Sequence, residues 1–104
     1  MLNLLVLFAV IKQTISDAVE RKFSNTQLLP KQMYHEIGKK AIKALLNSKE
    51  LEYRTFMELF NNYEEASKIL ETNIFMYHPG RNTVSFYSQS IENFIQENND
   101  VFIK

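Results

Sequence analysis

The residues of this chain best suited to chemistry are two histidines and two sets of neighbouring glutamates. His35 and His78 each lack a second histidine or a carboxylate at metal-ligand spacing such as His-Glu-x-x-His, so the sequence predicts no metal site. His78 reads as a turn residue before Pro79. Glu64-Glu65 and Glu50/Glu52 supply paired carboxylates. Adjacent glutamates on a helix point in different directions, which suits them poorly to general acid–base work, and they read as solvated surface. The chain has no cysteine, no Gly-x-Ser-x-Gly, no P-loop and no Gly-x-Gly-x-x-Gly. An enzyme is not expected, and no cofactor or catalytic residue is assigned.

Composition points instead to one globular domain spanning residues 1–104. Hydrophobic residues make up 45% and aromatics 12%, too apolar for a disordered chain. With no tryptophan, eight Phe and five Tyr must supply the large core and interface groups. The lack of cysteine excludes disulfides and fits a reducing compartment. The apolar run Leu4–Ile11 has no positive residue before it and no small-x-small cleavage site after it. It is therefore not expected to be a signal peptide, and it is too short to span a bilayer. A buried first helix is the expectation, with no membrane contact. Net charge is zero but unevenly spread. Residues 1–49 carry eight Lys/Arg against three Asp/Glu, a net of +5, and residues 50–104 carry four against nine, a net of −5. Such a division reads in part as ordinary solvated surface, and it could also favour head-to-tail association of two copies.

Periodicity gives four helices and a hairpin. Helix one is predicted from about Leu2 to Lys22, with Leu4, Phe8, Ile11, Ile15, Ala18 and Val19 as its core stripe. Its opposite face is polar in the later turns (Gln13, Ser16, Asp17, Glu20, Arg21). In the first turns that face is apolar (Leu2, Leu5, Val6, Val10), and something should cover it. Helix two is predicted from Pro30 to about Leu46, burying Met33, Tyr34, Ile37, Ala41 and Leu45, with Lys39, Lys40 and Lys43 outside. Gly38 interrupts it, at up to ~1 kcal/mol relative to alanine. Helix three is predicted from about Arg54 to Leu70, with Thr55 and Glu58 as a capping box and a dense apolar stripe from Tyr53 to Leu70. Ile74–Tyr87 reads as the one β-hairpin, two aromatic and β-branched runs around a Pro-Gly turn. Ser88 should cap a short last helix carrying Ile91, Phe94 and Ile95. Val101-Phe102-Ile103 is a final apolar tag that either docks back or frays.

The predicted fold class is thus mainly α with one β-hairpin: three helices, a hairpin wing and a short C-terminal helix, the order of a winged helix. That fold binds either nucleic acid or protein. When it binds DNA, the third helix enters the major groove and the wing touches the backbone, so both should be basic. Residues 50–71 instead hold six Glu against Arg54 and Lys68, and the wing offers Arg81 and His78. The DNA-binding alternative therefore rests on Lys39, Lys40, Lys43 and Arg81. A protein-binding use has two candidate surfaces. One is Leu2, Leu5, Val6 and Val10 on helix one; the other is Phe75, Tyr77 and Tyr87 on the hairpin. Either these meet a partner, or the chain's own C-terminal end covers them.

Met33-Tyr34-His35-Glu36, the run Leu51-Glu52-Tyr53-Arg54-Thr55-Phe56-Met57-Glu58-Leu59-Phe60, and Ile69-Leu70-Glu71-Thr72-Asn73-Ile74 carry a family resemblance over most of the chain. They resemble the C-terminal winged-helix domain of the origin-recognition-complex and cell-division-cycle AAA+ initiator proteins. In that family a similar Tyr-x-x-Phe-x-x-Leu run opens helix three, and a leucine and a small or polar turn lead into the first wing strand. The acidic third helix and the poorly basic wing depart from the DNA-binding members. In this the chain is most similar to the fungal silent-information-regulator relatives of the largest origin-recognition subunit, whose winged helix is a homodimerisation module. The resemblance implies a nuclear homodimerisation domain of a chromatin-silencing or replication-origin protein. Other chromatin or origin proteins are further possible partners, and direct DNA binding is disfavoured; the alternative is the DNA-binding winged helix of an initiator.

Overall fold

A computed structural model describes residues 3–60 and 63–104. Its elements run α1 (Leu4–Asn25), α2 (His35–Ser48), β1 (Leu51–Glu52), α3 (Tyr53–Leu59), α4 (Tyr63–Leu70), β2 (Phe75–His78), β3 (Thr83–Phe86), α5 (Gln89–Glu97) and α6 (Asn99–Phe102). The protein is mainly helical with a small antiparallel sheet in the order β1-β3-β2.

The amide of Val6 donates to the side chain of Asn3, which caps the start of α1. The helix outlasts its predicted end by a turn and stops in a Schellman arrangement. Leu28 N donates to Phe23 O, Gln27 N donates to Ser24 O, and Gln27 takes the left-handed conformation at φ 63°. Glycine is the usual residue there because it has no β-carbon to clash. The stop buries Leu28 against α2, where a β-carbon added at Gly38 would lie 2.5 Å from Leu28 Cδ2. Gly38 therefore serves close packing.

Three predicted elements need correction. Helix two begins at His35, not Pro30. Lys31 adopts φ 71°, and the Gln32 side chain accepts from Leu29 N, so residues 30–34 form turns. Met33, expected in the core, is consequently exposed, and Ile42 is buried instead. Helix three is two helices, α3 and α4. The amide of Phe60 turns back to Met57 O where α3 ends. The sequence that follows is Asn61-Asn62, a pair of weak helix formers; both residues, which the expected helix would cross, lie outside the described ones. The hairpin also gains a third strand, because Leu51 and Glu52 pair with Val84 and Thr83.

The hairpin itself keeps the expected alternation. Phe75 pairs with Phe86 and Tyr77 with Val84. Asn82, rather than Gly80, supplies the left-handed turn residue at φ 54°. Ser88 caps α5 as expected, with Ile91, Phe94 and Ile95 buried. The C-terminal tag docks through α6: Phe102 is buried, its ring 5.0 Å from Phe23 and 5.9 Å from Phe94. Phe23 and Phe94 are themselves 5.0 Å apart. A second aromatic group, Phe56, Phe60 and Phe75, joins α3 to the sheet. Both groups belong to one continuous core.

The largest departure from the sequence reading is α1. Of the expected core stripe, only Val19 is buried, with Ala18 half-buried; Leu4, Phe8, Ile11 and Ile15 are exposed. The core is instead reached by Val19 and Phe23, at the far end of the helix.

Two substitutions test these local arguments. Gln27→Gly relieves the left-handed strain and should raise stability by about 0.5–1 kcal/mol, read as an upward Tm shift of several degrees. Gly38→Ala should lower stability by about 1 kcal/mol, because overpacking against buried Leu28 outweighs the gain in helix propensity. A stabilised Gly38→Ala variant in urea melts would contradict the packing account.

Candidate functional site

The apolar half of α1 is the most unusual surface of the molecule. Leu4, Leu5, Val6, Leu7, Phe8, Val10, Ile11 and Ile15 are between 42% and 82% exposed. No charged residue occurs between Asn3 and Ile11. A side chain of this kind hides roughly 60–120 Å² when buried, so eight present on the order of 500–900 Å². The largest apolar patch on a typical monomer is about 300–600 Å². The first residue of α1 that anchors to the rest of the fold by an ion pair is Lys12, whose Nζ lies 3.3 Å from Glu97 of α5. Ile15, Ser16 and Val19 then line a shallow groove with Ser90, Asn93 and Phe94 of α5.

Of the residues singled out from the sequence, Leu5, Val6 and Val10 lie on this surface, and Leu2 lies outside the described residues. The C-terminal end does not cover them: Phe102 is committed to Phe23, Phe94 and His35, on the core side of the fold. Leu4, Phe8, Ile11 and Ile15, expected in the core, belong with Leu7 to the same surface. The signal that could have found them is the run Leu4–Ile11 itself, which is apolar on every side, whereas a helix resting on a core needs only one apolar stripe.

The hairpin residues divide. Phe75 is buried between Phe56 and Phe86 and is removed from any surface. Tyr77 is 38% exposed, rests on Tyr53 with ring centroids 4.7 Å apart, and donates its hydroxyl to Asn82 Oδ1 at 2.8 Å. Tyr87 lies under Lys22 Nζ, 5.5 Å from the ring centre. These tyrosines are partly satisfied within the chain, unlike the apolar turns of α1. Burial pushes the Tyr53 hydroxyl pKa up, and neighbouring Tyr63 and Tyr77 add to the effect while Ser67 opposes it. Tyr34 is likewise raised, first by burial and then by the Glu65 carboxylate that accepts its hydrogen bond.

The lysines Lys39, Lys40 and Lys43 share α2. Lys40 and Lys43 are exposed, while Lys39 Nζ donates to Lys104 O at 2.9 Å. Arg81 is engaged elsewhere: its Nε and Nη2 both donate to Glu50 Oε1, at 3.0 and 2.5 Å. On the helix that follows α3, Glu64 is exposed and Glu65 is tied to Tyr34.

Both histidines are hydrogen-bonded to their neighbours in the fold. His35 Nδ1 faces Leu28 O at 2.8 Å, which makes it a donor and a brace for the turn before α2. His78 Nε2 lies 2.7 Å from Ser85 Oγ, but that hydroxyl donates to Phe86 O. Ser85 therefore accepts from His78, whereas an activated nucleophile must give its proton to the base. Among the described residues no group of three His, Cys, Asp or Glu could hold a metal ion. No described helix is long and apolar enough to cross a membrane. No family model matches the chain, and no curated protein matches it.

The hydrogen bond from Arg81 holds the Glu50 carboxyl below its ordinary value; the Arg81 charge, the Thr83 hydroxyl and His78 act in the same direction, against partial desolvation. A carboxyl lowered on folding stabilises the fold above its unfolded pKa and loses that contribution as pH falls through the folded value. Arg81→Met should move the Glu50 titration up toward the ordinary carboxylate value and flatten the acid limb of stability. Carboxyl NMR titration reads this directly, and an unmoved Glu50 would refute the pairing.

Proposed function

We propose that this chain is a winged-helix module, without catalytic activity, that joins proteins, and that its first partner is a second copy of itself. The observation that carries the reading is the eight-residue apolar surface of α1, exposed in the single chain. The winged-helix assignment is supported by topology. From α2 onward the order is helix, short strand, two helices, and a hairpin whose second strand lies between the other two. The context we propose is that suggested by the resemblance: a nuclear chromatin-silencing or replication-origin protein.

Charge favours protein over DNA. In this assignment α4 would be the groove-reading helix, and it carries Glu64 and Glu65 against Lys68. The wing's Arg81 is neutralised by Glu50. Phosphate affinity depends on free Lys and Arg, which are concentrated on α2 instead.

Size-exclusion chromatography with light scattering over a concentration series tests the reading. The expected result is a dimer that dissociates on dilution and, for Phe8→Asp, a monomer whose core still melts cooperatively. A wild-type chain that remains monomeric at millimolar concentration would overturn it. So would a salt-sensitive shift of duplex DNA by that monomer, which would favour the Lys39, Lys40 and Lys43 face.

A further inference from the structure

Leu4, Phe8, Ile11 and Ile15 follow one another at intervals of four, three and four residues, the spacing of a coiled-coil seam. They are 82%, 69%, 50% and 48% exposed, so the seam is regular and unoccupied by the chain itself. It does not end at Ile15. Ile15 is also a wall of the groove between α1 and α5, whose floor is Val19 and Phe94. That groove is open to solvent, is lined also by Ser16, Ser90, Asn93 and the Lys12–Glu97 pair, and offers about 140 Å³. A leucine side chain fits such a space.

We infer that two copies pair their α1 helices antiparallel, and that Leu4 of each copy occupies the Ile15–Val19–Phe94 groove of the other. This rests on the self-association reading and specifies its geometry. Antiparallel pairing with Leu4 opposite Ile15 puts Phe8 opposite Ile11, so all four seam residues gain a partner across one two-fold axis. Parallel pairing would bring both domains to the same end of the helix pair, where α5 already packs beside Lys12 and Ile15. Like charges are not opposed along the seam. Residues 3–11 are uncharged, and Lys12, opposite Leu7 in this register, is neutralised by Glu97. Two such surfaces together bury on the order of 1,000 Å², near the lower bound of a specific interface. The dimer is therefore expected to dissociate in the micromolar range or weaker.

The chain has no cysteine, so single labels can be placed at will. Spin labels at Glu20→Cys, an exposed site beyond the pairing, should lie roughly 30 Å apart in the antiparallel dimer, from a rise of about 1.5 Å per residue. A separation near 10–15 Å would mean parallel helices and overturn the inference. For the groove, Leu4→Ala and Ser90→Trp, one removing the occupant and the other blocking the site, should each weaken dimerisation about tenfold or more. Together they should cost little more than either alone, since both break one contact. Leu4 and Ser90 are exposed, so the monomer's melting curve should not move. If both variants dimerise as the wild type does while Phe8→Asp is monomeric, the self-association reading stands and the groove assignment falls. If the wild type never dimerises, both fall.

Discussion

The contact on which the rest of the structure depends is the close meeting of Phe23, Phe94 and Phe102. It joins the last turn of α1 to α5 and the short α6, which follow one another but lie far from α1 in the sequence. Because α1 is gripped at this end, and again only by Lys12 and the groove wall beside α5, its first turns stand clear of the core. The Schellman stop at Gln27 follows from the same grip: Phe23 must face inward while the chain reverses to bring Leu28 over Gly38. The exposed apolar surface is thus a geometric result of where the helix is anchored. It would disappear if the same helix were anchored by its middle.

How much of this was legible in the sequence depended on whether local chemistry or tertiary context decided the matter. Ser88 as a cap, the alternation of Phe75, Tyr77, Val84 and Phe86, and the amphipathic last helix are local, and they were readable. So was the oddity of a helix start that is apolar on every side. What could not be read was which apolar stripe the core would choose. Leu4, Phe8, Ile11 and Ile15 satisfy helical periodicity as well as any core stripe does. Periodicity says that a face will be buried, and it is silent on whether the same chain buries it. Phe75, expected on an outer face, is buried for a related reason: strand alternation names two faces without saying which one the helices cover. The turns before His35 rest on a non-glycine residue in left-handed conformation, and α3 ends in the turn at Phe60; neither is marked by periodicity.

Several of the polar groups singled out from the sequence hold the fold together. His35 braces a turn, His78 and Ser85 tie the hairpin together, Arg81 clamps Glu50, and Glu65 meets Tyr34. Most of the large apolar residues that the described surface exposes lie on α1, with Met33, Tyr63 and Met76 elsewhere.

The capping of α1 by Asn3 carries a further consequence. A helical segment of three or four turns with no tertiary support is marginal in water, since nucleation costs more than a few hydrogen bonds return. Asn3 offsets part of that cost, but a cap contributes only about 1 kcal/mol. The order of the first turns in an isolated chain is therefore coupled to whatever lies against them. Association and helix completion become a single equilibrium, and its heat capacity change would report the coil-to-helix ordering along with the buried area. A domain built this way responds to its own local concentration with a change of shape as well as of stoichiometry.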